Sequence, residues 1–306
     1  MILLFLLLFG CSESSSTTTM TVPTAQQAAF PSPLLVADQT WEGLAIFEPT
    51  IIHDETGYRL YYTGWNGMAC GVGLATSADG LHWTKYPGNP ILGQGNGVPS
   101  ACRNNVLAVN GMSYLYYAPG DGSDSMPLNV ATSHDGVSFT PMPHPVLSPT
   151  ASFINYANTF AWATDHGYFM LVDVRGVDGI WRTAVAFGET PLIFTLLSDQ
   201  PVTGLADPNA AQGGGYVEVH EGVTHFWYCA APAPGNLPTD LWHATSTDLL
   251  HWTKDEQPLL THQGTGWAFD QVCDPYLVHL DDRTIMYFDG DNNTPPLRGA
   301  IGIVDL

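Results

Sequence analysis

The chain has 306 residues, of which 45% are hydrophobic and 11% aromatic, and it contains 31 glycines and 23 prolines. This composition excludes a disordered chain and favours many short strands joined by turns over helices. The 29 acidic residues far outnumber the 8 lysines and arginines, and the formal net charge of −21 repels phosphate backbones and anionic lipid surfaces. Nucleic acid is therefore not expected as a partner.

The chain begins with MILLFLLLFGC, and eight of the nine residues that follow Met1 are apolar. This run is too short to span a membrane and is typical of a signal sequence. The stretch LFGC resembles a bacterial lipobox, which predicts lipidation of Cys11; an ordinary cleaved signal peptide is the alternative. We interpret residues 1–29 as a leader and a Ser/Thr-rich tether. The expected product is an exported, monomeric protein that meets the membrane only through a lipid anchor.

One phrase recurs along the rest of the chain at a nearly constant spacing. Its copies ATSADGLHW, ATSHDGVSF, AFGETPLIF, ATSTDLLHW and the truncated AIGIVDL begin at Ala75, Ala131, Ala186, Ala244 and Ala300. The steps are 56, 55, 58 and 56 residues, which indicates a repeated supersecondary unit. Each unit contains four short predicted strands with half-buried aromatics, the pattern of a propeller blade. Residues 30–306 are therefore predicted to form one all-β, five-bladed β-propeller.

The N-terminal segment FPSPLL, residues 30–35, resembles the fourth-strand pieces of the repeats, but no repeat precedes it. We predict that this N-terminal strand closes blade five and removes an exposed sheet edge. Within the repeated phrase, Asp79, Asp135 and Asp248 are predicted to cap turns and to do no chemistry. The aromatic residue four positions after each aspartate is predicted to pack between blades.

Two acidic residues occupy equivalent places at the start of a first strand. In a propeller this strand lines the central channel, and its start opens into the binding face. Counting back from the aromatic strands gives Glu48 in blade one and Asp274 in blade five, each followed by proline. Carboxylates that share a cavity have divergent pKa values, so one donates a proton while the other stays charged. The alternative is that each only accepts backbone N–H bonds.

Further candidates lie near the same predicted face. Counting gives Asn104 and Asn158 for blades two and three, with Arg103 beside the first of them, whereas blade four is ambiguous between Gly214 and Gly215. Arg103 either pairs with the acids or holds a substrate. We assign catalysis to Glu48, Asp274 and Asp207, and substrate binding to Arg103, Asn104, Asn158, Glu218, Asp270, Trp65 and Trp267.

The phrase GLATSADGLHWTKYPGNPIL, the regular steps and the acid–proline strand starts resemble the five-bladed propeller glycosidases. These comprise glycoside hydrolase family 43 and the related invertase-like and mannoside-phosphorylase families. The resemblance covers residues 30–306 and implies a carbohydrate substrate. It also implies an Asp base, a tuning Asp and a Glu acid on blades one to three, where this chain has Glu48, Asn104 and Asn158. Either the acids have moved to Asp274 and Asp207, or the site has lost hydrolysis.

The leading hypothesis is an exported glycoside hydrolase that cleaves oligo- or polysaccharides by carboxylate acid/base catalysis. A non-catalytic glycan-binding propeller is the alternative, favoured by asparagines where the family has acids. A phosphorylase is a third possibility, which needs more positive charge than Arg103 supplies. No cofactor is predicted and no residue is assigned to a metal; a divalent cation in the channel stays open.

Apart from Cys11 the chain has four cysteines, and none has the spacing of a metal site. Cys70 and Cys102 flank the junction of blades one and two, and Cys229 and Cys273 stand in the same relation between blades four and five. Two inter-blade disulfides on the binding face would suit an exported protein. Four buried thiols are the alternative.

Overall fold

The computed structural model describes residues 32–120, 125–294 and 297–306. The predicted leader, Cys11 and the beginning of the FPSPLL segment lie outside these ranges. The described chain is nearly all-β, as predicted, with one short 3-10 helix at His262–Thr265. Within the same ranges, no helix has the length and apolar character needed to cross a membrane.

The strands follow one another in five sets. The short N-terminal strand β1 Leu35–Val36 precedes the first set. The first set is β2 Ala45–Asp54, β3 Gly57–Trp65, β4 Cys70–Ser77, β5 Thr84–Lys85 and β6 Leu92–Gly93. The second set is β7 Cys102–Val109, β8 Met112–Ala118, β9 Asn129–Ser133 and β10 Thr140–Pro141. The third is β11 Asn155–Thr164, β12 Gly167–Arg175, β13 Trp181–Thr190 and β14 Ile193–Leu196. The fourth is β15 Gln212–His220, β16 Val223–Ala230, β17 Asp240–Ser246 and β18 Thr253–Lys254, and the fifth is β19 Gln271–His279, β20 Thr284–Thr294 and β21 Leu297–Asp305.

The middle three sets are separate 4-stranded antiparallel sheets, and a 9-stranded sheet joins the first and fifth sets. A single parallel pair, Ala45 with Gly299, links those two sets. The first strands contact one another in the order β2, β7, β11, β15 and β19, and β19 contacts β2. Several four-stranded units arranged in this way are consistent with a propeller.

Buried tyrosines on the second strands connect neighbouring sets. The Tyr61 hydroxyl donates to the Gly136 carbonyl at 2.8 Å, and the Tyr116 hydroxyl donates to the Pro191 carbonyl at 2.9 Å. Tyr287 of the fifth set makes the equivalent bond to a carbonyl of the first set, that of Gly80. Each phenol therefore buries its ring and satisfies its polar end against the next set.

The repeated phrase has the structural role that was predicted. Asp79 Oδ1 accepts the backbone N–H groups of Leu81 at 2.8 Å and His82 at 2.9 Å. Asp135 and Asp248 accept the two equivalent N–H groups in their own turns. The prediction that these aspartates cap turns is confirmed.

The aromatic residues of the phrase pack between sets, as predicted. The Trp83 ring lies edge-on to Tyr287 of the fifth set, with 6.1 Å between ring centroids. The Phe139 ring of the second set lies edge-on to Tyr61 of the first set at the same 6.1 Å. These contacts add aromatic burial to the tyrosine hydrogen bonds at the same junctions.

The prediction that the truncated fifth copy of the phrase begins at Ala300 is wrong. Leu60 pairs with Ala75 in the first set, and the equivalent Met286 pairs with Val304, not with Ala300. The cause is a longer ladder between β20 and β21, which continues past the Asp291–Gly299 pair to Thr294 and Leu297. The strand itself was placed correctly, but its register was not.

The N-terminal segment pairs with the C-terminal strand. Leu35 lies opposite Ile301 and Val36 opposite Ala300, and the Leu34 N–H donates to the Ile301 carbonyl at 2.8 Å. β1 therefore covers an edge of β21 that would otherwise expose unpaired backbone groups.

Removing β1 is expected to destabilise the protein. A variant that lacks residues 1–36 should unfold at a Tm several degrees below that of a variant that lacks residues 1–31. The loss comprises the ladder to Ile301 and the partial burial of Leu34 and Leu35, worth at least about 2 kcal/mol together. Thermal denaturation followed by circular dichroism measures both variants, and identical Tm values would contradict the stabilising role of β1.

Candidate active site

Each first strand carries a register shift near its start, where the ladder to the second strand contains a β-bulge. The bulge residues are Glu48–Pro49, Arg103–Asn104, Ala157–Asn158, Gly214 and Asp274–Pro275. The residues equivalent to Glu48 are therefore Arg103 in the second set and Ala157 in the third. Each lies one residue before the predicted Asn104 and Asn158. In the fourth set the equivalent bulge residue is Gly214. The asparagines take the second bulge position because the extra residue shifts the alternation of side chains.

Three of these bulge residues have left-handed backbone although they are not glycine. The φ angles are 60° at Glu48, 62° at Arg103 and 48° at Asp274, close to the 51° of Gly214. This conformation is typical of glycine in a bulge and costs a larger residue about 1–3 kcal/mol. The strain falls on three charged residues at one end of the molecule, which indicates a functional constraint.

Glu48, Arg103 and Asp274 line one cavity of about 530 Å³. Its charged lining comprises Glu48, Asp173, Asp274, Asp289, Asp291 and Arg103. Of the predicted substrate-binding residues, Arg103, Asn158 and Trp65 also line it, and Trp181 adds a second indole that was not predicted. The cavity combines an excess of carboxyl groups with two aromatic surfaces.

Glu48 forms an ion pair with Arg103. The carboxylate is 6% exposed, its Oε1 lies 3.3 Å from Arg103 Nη1, and the arginine side chain is 46% exposed. Burial raises the pKa of Glu48, and the Arg103 charge opposes that shift. The Asn104 amide donates to the Glu48 carbonyl at 3.1 Å and to Thr63 Oγ1 at 3.0 Å. Asn104 is absent from the lining of the large cavity and holds the Glu48 backbone, so its predicted contact with substrate stays a prediction.

Asp274 is hydrogen-bonded on two sides. The Asn158 amide donates to its Oδ1 at 2.5 Å, and a further bond joins it to the Asp289 carboxyl. Burial raises the pKa of Asp274, although Asp289, Arg103 and Asn158 oppose the shift. Burial and the Asp274 charge raise the pKa of Asp289 well above its usual range. Two adjoining carboxyls linked in this way resist ionising together, because each charge raises the pKa of the other group.

Asp173, which belongs to the third set, lies close to Asp274. Both of its oxygens accept the Gly214 N–H at 3.0 Å, and burial followed by the Asp274 charge raises the pKa of Asp173 well above its usual range. A Cβ at residue 214 would overlap the Asp274 carboxylate. Glycine at this bulge therefore lets Asp173 and Asp274 contact one backbone segment from two sides.

Asp173 and Asp289 were not predicted, because the predicted acids all lie on first strands or in loops. Asp173 lies on β12 and Asp289 on β20, both second strands. The signal in the sequence was an aspartate inside an otherwise apolar strand, as in LVDV and YFDG. Asp289 pairs with the residue that precedes the bulge. The residues in the same place are Thr63 in the first set and Ala118 in the second, and neither carries a carboxyl group.

Besides Asn104, four more predicted site residues are absent from the cavity lining: Asp207, Glu218, Asp270 and Trp267. Asp207 is exposed and accepts the Asn209 N–H at 2.8 Å within a turn. Glu218 lies further along β15, where its carboxylate contacts His279 Nε2 at 2.5 Å. Trp267 stacks on Phe288 with 5.8 Å between ring centroids, as a core residue does.

Both pairs of cysteines form disulfides. Cys70 is bonded to Cys102 and Cys229 to Cys273, with Cα separations of 5.1 and 4.9 Å. All four residues line the large cavity. Of the two alternatives drawn from the sequence, the structure has the inter-set bridges on the face that carries the carboxyl groups.

Several buried acceptors of the site lack a donor. Within the described ranges, four oxygens in the cavity wall have no hydrogen-bond partner: Glu48 Oε2, Asn158 Oδ1, Gln212 Oε1 and Asp289 Oδ1. No group of three or more His, Cys, Asp and Glu residues suited to a metal ion occurs in that part of the chain. Unpaired buried acceptors are costly, so a ligand that donates hydrogen bonds would satisfy them.

Comparison with known proteins gives matches at the level of structure. No family model and no curated protein sequence matches the chain. Among solved structures, a complex of BT0996 with RGII has a TM-score of 0.75 at 15% identity over 91% of this chain and 92% of that one. A thermostable family-43 glycoside hydrolase has a TM-score of 0.64 at 16% identity over 86% and 89%. The protein has the propeller glycosidase fold.

The propeller glycosidase fold is not limited to glycoside hydrolases. An N-acetylgalactosamine deacetylase from F. plautii, solved with blood group B trisaccharide, has a TM-score of 0.65 at 14% identity over 92% of this chain and 93% of that one. At such identities the likeness establishes the fold, and the reaction has to be argued from the site.

Proposed function

We propose that the protein is an exported glycoside hydrolase that cleaves glycosidic bonds in oligo- or polysaccharides by carboxylate acid/base catalysis. The observation that carries this proposal is the pair Glu48 and Asp274, both left-handed and both lining one cavity. Asp173 and Asp289 add two carboxyls with raised pKa values to the same wall. Glycosidic hydrolysis requires one carboxylate and one carboxylic acid, and this cluster supplies both.

The same proposal includes a five-bladed propeller. The cyclic contacts of the first strands, β2 through β19 and back to β2, support five blades around one channel. The pairing of β1 with β21 supports closure of the fifth blade by the N-terminal strand. This arrangement explains why residues distant in sequence share a cavity.

The roles of the acids follow from their partners. Arg103 favours the ionised form of Glu48, while burial keeps the Glu48 pKa raised, which suits a general base. Asp274 adjoins two carboxyls whose pKa values burial raises, so the group of Asp173, Asp274 and Asp289 serves as the proton donor.

The chemistry of the wall also favours a class of sugar. The unpaired acceptors call for hydroxyl or ammonium donors, and the excess of carboxyl groups repels uronate, sulfate and phosphate groups. Trp65 and Trp181 offer indole faces to the apolar face of a sugar ring. The bound sugar is therefore neutral or amine-bearing.

Export is supported by the two disulfides, which persist in oxidising compartments, and by the apolar stretch that ends at Cys11. In this proposal the lipid on Cys11 is the only attachment to a membrane.

The test is release of reducing sugar by the purified protein from a panel of glycosides. We expect turnover of neutral or amino glycosides and at least about tenfold lower kcat/KM for matched uronides and sulfated sugars. Added phosphate should not accelerate cleavage, because Arg103 is already paired with Glu48. Glycan binding without any turnover would replace this proposal by the non-catalytic alternative, which Asn104 and Asn158 favour.

A further inference from the structure

In each disulfide, one of the two cysteines immediately precedes a charged bulge residue. Cys102 is followed by Arg103, and Cys273 is followed by Asp274. Both followers have left-handed backbone, with φ of 62° and 48°. The partners of these cysteines lie in a neighbouring set: Cys70 begins β4 of the first set, and Cys229 lies on β16 of the fourth. The bridges therefore tie two strained positions to adjacent sheets.

The Cys229–Cys273 bridge also borders the acidic cluster. Cys273 pairs across the ladder with Asp289, and Cys229 pairs with Gly213, the residue before Gly214. The disulfide therefore links the strand that carries Asp274 to β16. It lies opposite Asp289 on one side, and on the other side it lies near the Gly214 N–H that donates to Asp173.

A left-handed charged residue persists only where its surroundings fix it, because relaxation to an ordinary conformation is favourable by about 1–3 kcal/mol. The third strained residue, Glu48, is preceded by Phe47, and its carbonyl is held instead by the Asn104 amide at 3.1 Å. Gly214 incurs no such penalty and has no bridge at residue 213. Restraint by a hydrogen bond or a disulfide therefore accompanies each of the three charged bulge residues with left-handed backbone.

We propose that the two disulfides are positioning elements of the site: Cys70–Cys102 fixes Arg103, and Cys229–Cys273 fixes Asp274 with the adjoining Asp289. This inference rests on the proposed function for its kinetic consequences. It makes activity dependent on an oxidising environment, since reduction releases residues that face the substrate while the sheets stay paired.

The experiment uses the full chain and two paired variants, C70A/C102A and C229A/C273A, each serving as the control for the other. Kinetics are measured well below the Tm of each variant, and carboxyl pKa values are followed by NMR with 13C-labelled aspartate side chains. We expect C229A/C273A to lower kcat at least tenfold, to shift its pH profile and to bring the raised aspartate titrations toward ordinary values. C70A/C102A should raise KM severalfold and leave those titrations in place.

Lower Tm values with unchanged kcat, KM and titrations in both variants would overturn the inference, because that is the result of a purely structural role. If an alanine pair fails to fold, reduction of the folded wild-type protein by a phosphine gives the same readouts. The NMR titrations need no turnover. An inactive wild-type protein would therefore refute the proposed hydrolase function, and the titrations would still test the positioning role.

Discussion

The Asp274→Asn variant is expected to lose about 10²- to 10⁴-fold in kcat with little change in KM. Asp274 lies where the Asn158 amide, the Asp289 carboxyl and the Gly214 backbone converge. Asparagine preserves the shape of the side chain but cannot exchange the proton that this group is proposed to supply. Steady-state kinetics on the best glycoside of the panel measure the effect.

Asp282→Asn is the matched control, because Asp282 is an exposed aspartate in the β19–β20 turn. It should leave kcat within about twofold of the wild-type value. Glu48→Gln should show a loss similar to that of Asp274→Asn, since it removes the proposed base and leaves Arg103 without its partner. If Asp274→Asn and Asp282→Asn had equal kcat, the acidic cluster would not be the proton donor.

The Asp289→Asn variant is expected to be more stable than the wild-type protein at neutral and alkaline pH, by up to about 1.4 kcal/mol for each unit by which folding raises the Asp289 pKa. Asp289 is 1% exposed, and burial with the Asp274 charge raises its pKa well above the usual range. The folded protein thus binds a proton that the unfolded chain has lost. This contribution to stability is full below the unfolded pKa of about 3.9 and disappears as the pH rises through the folded pKa.

Asparagine removes that pH dependence and keeps a side chain of the same size. Urea unfolding at pH 5 and pH 8 should therefore show a larger free-energy gain for Asp289→Asn at pH 8, together with a loss of activity. An equal change at both pH values, or a loss of stability at pH 8, would mean that Asp289 titrates normally in the folded protein.

The fold was largely predictable because the repeated phrase encodes local physics. Its aspartates cap turns, and its aromatics pack between sets, so each copy marks the same place in a unit. The fifth copy was misplaced because the β20–β21 ladder is longer than the others, which the phrase does not encode.

The site was predictable only in part. Glu48 and Asp274 were found because both precede proline at the same distance from an aromatic strand. Asn104 and Asn158 were placed one residue off because a bulge inserts a residue and shifts the alternation of side chains.

Other parts of the site depend on geometry that strand counting omits. Asp173 reaches the cavity from a second strand, since Gly213 leaves room for its carboxylate beside the Gly214 N–H that it accepts. Asp207 was assigned from a loop, whose backbone path does not follow from strand periodicity.

The central claim is that the buried carboxyls of the cavity cleave a glycosidic bond. Its most direct test is to measure glycan binding by calorimetry and reducing-sugar release on the same samples of wild-type protein and Asp274→Asn. The account predicts comparable binding by both proteins and release by the wild-type protein alone. Binding without release by the wild-type protein, or equal release by both, would contradict it.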